Sequence, residues 1–231
     1  MESVSKNEFI FVFDSSALLH LSTLNLHPKV VETLEDVIAK FAENGSIFIP
    51  QEVRDQLKIR LLKYKEAQQL SSFGNKLLDF LLPKFKVRKP LQECEKIVTC
   101  TVSKLDILED FQKKLEAGDK ECIFLSLELS RTKKDKIVFL VTDDWDIKNV
   151  GNKIFQTQFI GNIYFLHEFF CFTSSKSIMK MTKNDLLDVF TTIKSLVKKG
   201  EWIKEIESII RSVNEFLCPY KCETKKCSTV V

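Results

Sequence analysis

Four short strand-like segments punctuate the chain: Phe9–Phe13 (FIFVF), Ser46–Ile49 (SIFI), Ile137–Val141 (IVFLV) and Gly161–Phe165 (GNIYF), the first and third continuously apolar and the other two shorter or more mixed. Continuous runs of this length, without polar alternation, mark strands buried on both faces of a sheet. Helical periods fill the spaces between them. Ala17, Leu18, Leu19 and Leu21 follow the first run, and Pro28–Glu43 sets Val30, Val31, Leu34, Val37, Ile38 and Phe41 on one face. A helix opens at Gln51, and Leu57–Leu82 continues as helix with a break at Ser71–Gly74. Leu105–Ala117 reads as another helix, ended by Gly118. Asp119 then opens the next, with Cys122, Ile123, Leu125 and Leu129 facing inward. Residues 83–104 carry no clear period, with Val87 and Ile97–Val102 as extended pieces. Strands alternating with helices predict an α/β fold with a mainly parallel central sheet.

From Thr173 the composition changes. A polar linker, Ser174–Ser177, precedes two helical segments, Leu186–Val197 and Trp202–Phe216, separated by Gly200. The expected organisation is an α/β domain over 1–172 and a helical extension over 173–231. With 44% hydrophobic residues and only 6 Gly and 5 Pro in 231, the chain can bury a substantial core. The net charge of +3 does not by itself announce nucleic acid. No apolar run is long enough to span a membrane, and the N-terminus has no signal-peptide pattern. The 7 Cys are odd in number and four are scattered through the body, so free thiols in a reducing, cytoplasmic setting are expected.

Against this background the acidic residues stand out by position. Asp14 ends the first run, and Asp143, Asp144 and Asp146 follow the third. Glu52 lies in the first turn of a helix after the second run, and Asp119 and Glu121 open a helix of their own. In a parallel sheet with right-handed crossovers these places gather at the carboxyl edge, where open α/β sheets bind ligands. Crowded carboxylates need a counter-charge, and Mg2+ or Mn2+ supplies it through oxygen ligands. Simpler roles exist for each: Asp14 and the aspartates after Thr142 also suit helix caps, and Glu52 suits a helix dipole. Lys58, Arg60, Lys63 and Lys65 form either a solvated helix face or a track for a phosphate backbone. His20 and His27 read as packing or surface residues rather than ligands.

In order, FVFDSSALLHL, IFIPQEVRDQL, GDKECIFLSLEL and FLVTDDWDIKN resemble the motifs of the PIN-domain family of metal-dependent nucleases, over roughly residues 8–168. The resemblance implies a three-layer α/β/α fold. It implies a metal-dependent endoribonuclease, a hydrolase of RNA phosphodiester bonds, with Asp14, Glu52, Glu121 and Asp144 as its catalytic acidic positions. Asp14, Glu121, Asp144 and Asp146 would hold Mg2+ or Mn2+. Ser15, Asp119, Thr142 and Asp143 would support them, with Ser15 and Thr142 as flanking hydroxyls. Both a toxin of a toxin–antitoxin pair and an RNA-processing enzyme fit. A protein partner such as an antitoxin, or a homodimer, is compatible with either. The segment 57–104 is longer than in compact members, which suggests a lid or an added helical hairpin.

Two rivals stand beside this reading. One is a non-catalytic PIN-like module that binds RNA or protein. The other is a domain using Asp14 as covalent nucleophile, which would want a second Asp where Ser16 stands. In the tail, Cys218, Cys222 and Cys227 place three thiols in ten residues, either a partial zinc site or free thiols.

Overall fold

The computed structural model describes residues 8–176, 178–196 and 200–214. Five strands, β1 (Phe9–Phe13), β2 (Ile47–Pro50), β3 (Lys86–Arg88), β4 (Ile137–Val141) and β5 (Gly161–Tyr164), form one sheet in the order β3-β2-β1-β4-β5. Every pairing is parallel, so the sheet is wholly rather than mainly parallel. Helices flank it, consistent with a three-layer α/β/α arrangement: α1 (Ser15–Thr23), α2 (Pro28–Glu43), α3 (Gln51–Glu66), α4 (Ser72–Lys76), α5 (Gln92–Lys104), α6 (Leu108–Lys114), α7 (Ala117–Thr132) and α8 (Trp145–Gln158); α9 (Leu166–Ser175) follows β5 in the chain. All five residues of β1 are buried, as expected of a central strand. Phe11 pairs in register with Phe139 and stacks on it at 5.6 Å, while Phe41 of α2 meets Phe11 edge-on at 5.1 Å. Such pairs fix strand register beyond what apolar burial alone requires.

The chain leaves the expected course at three places. The segment Ile97–Val102 lies within α5 and is not extended. Its β-branched residues imitate a strand, yet Cys94, Val98, Thr101 and Val102 are buried at helical spacing. The Thr101 hydroxyl donates to the Ile97 carbonyl at 2.8 Å, which satisfies it inside the helix. Gly118 does not end a helix. It is the second residue of α7, and α6 stops at Lys114. A capping box of Glu116 and Asp119 starts α7 there. The break in Leu57–Leu82 comes earlier than Ser71–Gly74. Helix α3 ends at Glu66, Gln68 takes a positive φ of 55°, and Ser71 caps α4. Between α4 and β3 the chain makes two further helical turns, Leu77–Leu81 and Leu82–Lys84. Ser71 donates from backbone and hydroxyl to the Ser22 carbonyl (2.9 and 2.8 Å), which ties α4 to α1 before the chain enters β3.

Two compact units divide the described residues: 8–24 with 35–166, and 25–34 with 167–214. The first unit ends at Leu166, and the second also takes in the start of α2. In that unit α10 (Lys183–Leu196) and α11 (Gly200–Asn214) pack on one another as the expected hairpin. Among the described residues no helix is long and apolar enough to cross a membrane.

Candidate functional site

Asp14 leaves the end of β1 and caps α1. Its amide donates to the Val141 carbonyl at 2.9 Å and that of Thr142 to the Tyr164 carbonyl at 2.9 Å, so sheet pairing continues to the carboxyl edge. The Asp14 side chain is only 1% exposed. Its Oδ2 accepts three hydrogen bonds: from the Ser16 amide at 3.1 Å, the Ser16 hydroxyl at 2.5 Å and the Thr142 hydroxyl at 3.1 Å. Those hydroxyls in turn accept from the amides of Asp143 (2.9 Å) and Asp144 (3.0 Å). The relay locks the turn after β4 onto the start of α1. Oδ1 of Asp14 is buried with no donor among the described residues. Burial raises the Asp14 pKa, and the bonds from Ser16, the Ser15 amide and Thr142 offset this only in part.

Two more carboxylates feel the charge of Asp14 or of one another. Asp119, at the start of α7, is raised to about 7, first by burial and then by the charges of Asp14 and Asp144, against the bond from the Glu116 amide. That amide reaches Asp119 Oδ2 at 2.7 Å. Asp144 caps α8, with Oδ1 accepting from the amides of Asp146 at 2.6 Å and Ile147 at 3.3 Å. No donor among the described residues meets its Oδ2. Cys122, buried beneath the group, has its thiol held neutral by burial and by the charges of Asp14, Asp119 and Glu121.

The remaining expected residues separate into distinct places. Asp143 has both oxygens engaged: Oδ2 with His20 Nδ1 at 2.8 Å and Oδ1 with the Leu166 amide at 3.0 Å. Its side chain is 4% exposed, so it serves as a strut rather than an open ligand. His20 is no mere packing residue. Burial alone would lower its pKa, but Asp143 and Asp14 outweigh that and raise it. Ser16 and His20 stand four apart on α1, on one face of the helix behind Asp14. Ser15 gives its backbone amide, while the supporting hydroxyl is that of Ser16. Glu121 turns toward α3, where its Oε2 accepts from the Glu52 amide at 3.3 Å. The Glu52 side chain is exposed and accepts from Gln56 at 2.9 Å. Asp146 is half-buried in the first turn of α8, where its charge reaches Lys114.

Lys58, Arg60, Lys63 and Lys65 are all exposed on α3, and Lys65 pairs with Asp79 at 3.0 Å. His27, in the second unit, has its backbone amide bonded to Asp188 at 3.1 Å. Cys218, Cys222 and Cys227 lie outside the described residues.

Among the described residues no group of three or more His, Cys, Asp or Glu side chains is arranged to hold a metal ion. The donor chemistry nonetheless suits a hard cation. Mg2+ commonly takes one or two carboxylates and completes its shell with water and substrate phosphate. Asp14 Oδ1, buried and without a donor among the described residues, is open to a cation, a proton or a water. No family model matches the chain, and no curated protein matches it. The crystal structure of PAE2754 from Pyrobaculum aerophilum is similar at 16% identity and a TM-score of 0.36, over 62% of this chain and 85% of that one.

Proposed function

We propose that this chain is a PIN-like, Mg2+- or Mn2+-dependent endoribonuclease acting at the carboxyl edge of its sheet. The reading is supported most by Asp14: a buried carboxylate with one oxygen wrapped by hydroxyls and the other left without a donor. Asp14 and Asp144 would hold the cation, with Asp119 in the third place that the sequence motif suggested for Glu121. A divalent cation bound there supplies positive charge to the scissile phosphate and lowers the pKa of water. The protein's own residues do the rest. Ser16 and Thr142 fix the Asp14 carboxylate, and the cap at α8 fixes that of Asp144. Asp119, which senses the charges of Asp14 and Asp144, would complete the carboxylate set around the cation, and the proton of the attacking water passes to solvent as its oxygen bonds to phosphorus. The phosphorus–oxygen bond to the leaving nucleoside breaks, and that oxygen gains a proton from solvent.

One observation favours a second reading, a PIN-like module that binds RNA or protein without cutting. Asp144 spends Oδ1 on its helix cap, and Asp143 is wholly engaged. A cytoplasmic site of action belongs to the proposal too, in keeping with the free thiols of Cys94, Cys100 and Cys122. The test is cleavage of labelled single-stranded RNA and DNA in Mn2+, Mg2+ or EDTA, wild type beside Asp144→Asn. Metal-dependent cutting of RNA, lost in the variant with its fold intact, is expected. Cutting that persists in EDTA or in Asp144→Asn contradicts the assignment.

A further inference from the structure

A cavity of about 320 Å3 opens between the loop after β3 and the first turns of α7. That is the small end of the ~300–1,000 Å3 range of ligand pockets. Its apolar walls are Leu91, which is 51% exposed, and Phe124. Two carboxylates, Glu95 and Glu121, two ammonium groups, Lys89 and Lys120, and the Gln92 amide are among its polar lining. The wall is built rigidly. Glu128 on α7, 1% exposed, accepts from the Leu91 amide at 2.9 Å and pairs with Arg88 at 2.9 Å, so a buried charge pins the loop in place.

The cavity adjoins the acidic centre. Helix α7 presents Asp119 toward Asp14 and Asp144, and two residues on it presents Glu121 to the cavity. The loop leaves β3, two strands from β1, and strands spaced ~4.8 Å apart put it roughly 10 Å along the same edge. A polynucleotide strand whose phosphate lies at Asp14 would pass a neighbouring base across this opening.

We infer that this cavity is a base-reading subsite for guanine. An aliphatic wall and an aromatic floor accept the face of a base. A carboxylate matches the paired N1–H and N2–H donors of guanine, and an ammonium matches its O6 acceptor beside them. Adenine and uracil do not present that edge. Glu95 is exposed and carries the reading carboxylate, because Glu121 Oε2 already accepts from the Glu52 amide. Lys89 is the exposed cation, while Lys120 is engaged over the Phe111 ring and with the Gln112 carbonyl.

The inference rests on the proposed RNA substrate, and its test separates the two. Fluorescence anisotropy in EDTA compares five-nucleotide oligouridines carrying a central G, A, C or U, for wild type and Glu95→Gln; cut positions are mapped in parallel in Mn2+. Wild type is expected to prefer the G-containing RNA at least about fivefold, the low end for one bidentate base contact. Glu95→Gln, exposed and outside the cation site, should equalise the four. No preference, a preference that survives Glu95→Gln, or no RNA binding at all overturns the inference. Metal-dependent cutting without base preference would overturn the subsite alone. Guanine preference without cutting would uphold the subsite and overturn the nuclease.

Discussion

At the scale of single residues, Asp14 joins a helix-cap role to the desolvation of a buried carboxylate. Its carboxylate is buried, half wrapped and half without a donor. Asp14→Asn keeps the shape and removes the charge, so the metal-free variant should be at least as stable as wild type at pH 7.5. Each ~1 kcal/mol gained shows as ~2–4 °C in Tm for a chain of this size. A fall in Tm would mean that the charge is structural. The pH dependence follows from the same group. Asp119 is raised to about 7 and Asp14 is raised as well, so between about pH 4 and 7 the folded state binds more protons than the unfolded state. Metal-free stability should therefore decline as pH rises through that window and level off above it; His20, also raised, extends the decline upward. Denaturant titrations from pH 4.5 to 8.5 measure it, and Asp119→Asn should flatten the profile. A stability that increases across this window would contradict the burial argument. The sequence disclosed Asp14, Thr142 and Asp144 through their places after apolar strands. It pointed to Glu121 for the third acidic position and to Asp119 for a supporting one, whereas Asp119 is the one that senses Asp14. Both lie in the first turns of one helix, and only its packing shows which side chain senses Asp14. His20 and Ser16 were hidden because their roles come from a strand more than a hundred residues later.

At the scale of elements, the buried strands were legible where apolar residues run without interruption. Strands β1 and β4 have the expected bounds, and β2 and β5 shift by a residue. Helix α5 was not legible, because β-branched residues give the local preference of a strand and packing overrides it. Gly118 was misleading for a related reason. A glycine near a charged cluster suggests a helix end, but this one sits against Val53, where an added Cβ would lie 3.3 Å from the side chain. It lets α7 approach α3. Gly161 has a stricter need, with φ at +128° and a virtual Cβ only 2.1 Å from the Val138 carbonyl. Gly161→Ala should loosen the pairing of β5 with β4 and destabilise the protein by at least about 2 kcal/mol, read by urea unfolding. An effect within ~0.5 kcal/mol would show that β5 can repack without cost.

At the scale of the whole molecule, opposite charges are sorted to different places within the first unit. Carboxylates collect at one edge of the sheet, and Lys58, Arg60 and Lys63 stand exposed along α3, whose first turn adjoins that edge. A net charge of +3 conceals this separation. In the proposed reading, a polyanion drawn by the lysines would meet a centre that repels it unless a cation is present. That condition makes cation binding the claim on which the whole reading depends. The decisive measurement is titration of the metal-free protein with Mn2+ by calorimetry at pH 7, wild type beside Asp14→Asn. The account predicts saturable binding with proton release in the wild type, and loss of both in the variant. Absence of Mn2+ binding at millimolar concentration, or binding unchanged by Asp14→Asn, would contradict it.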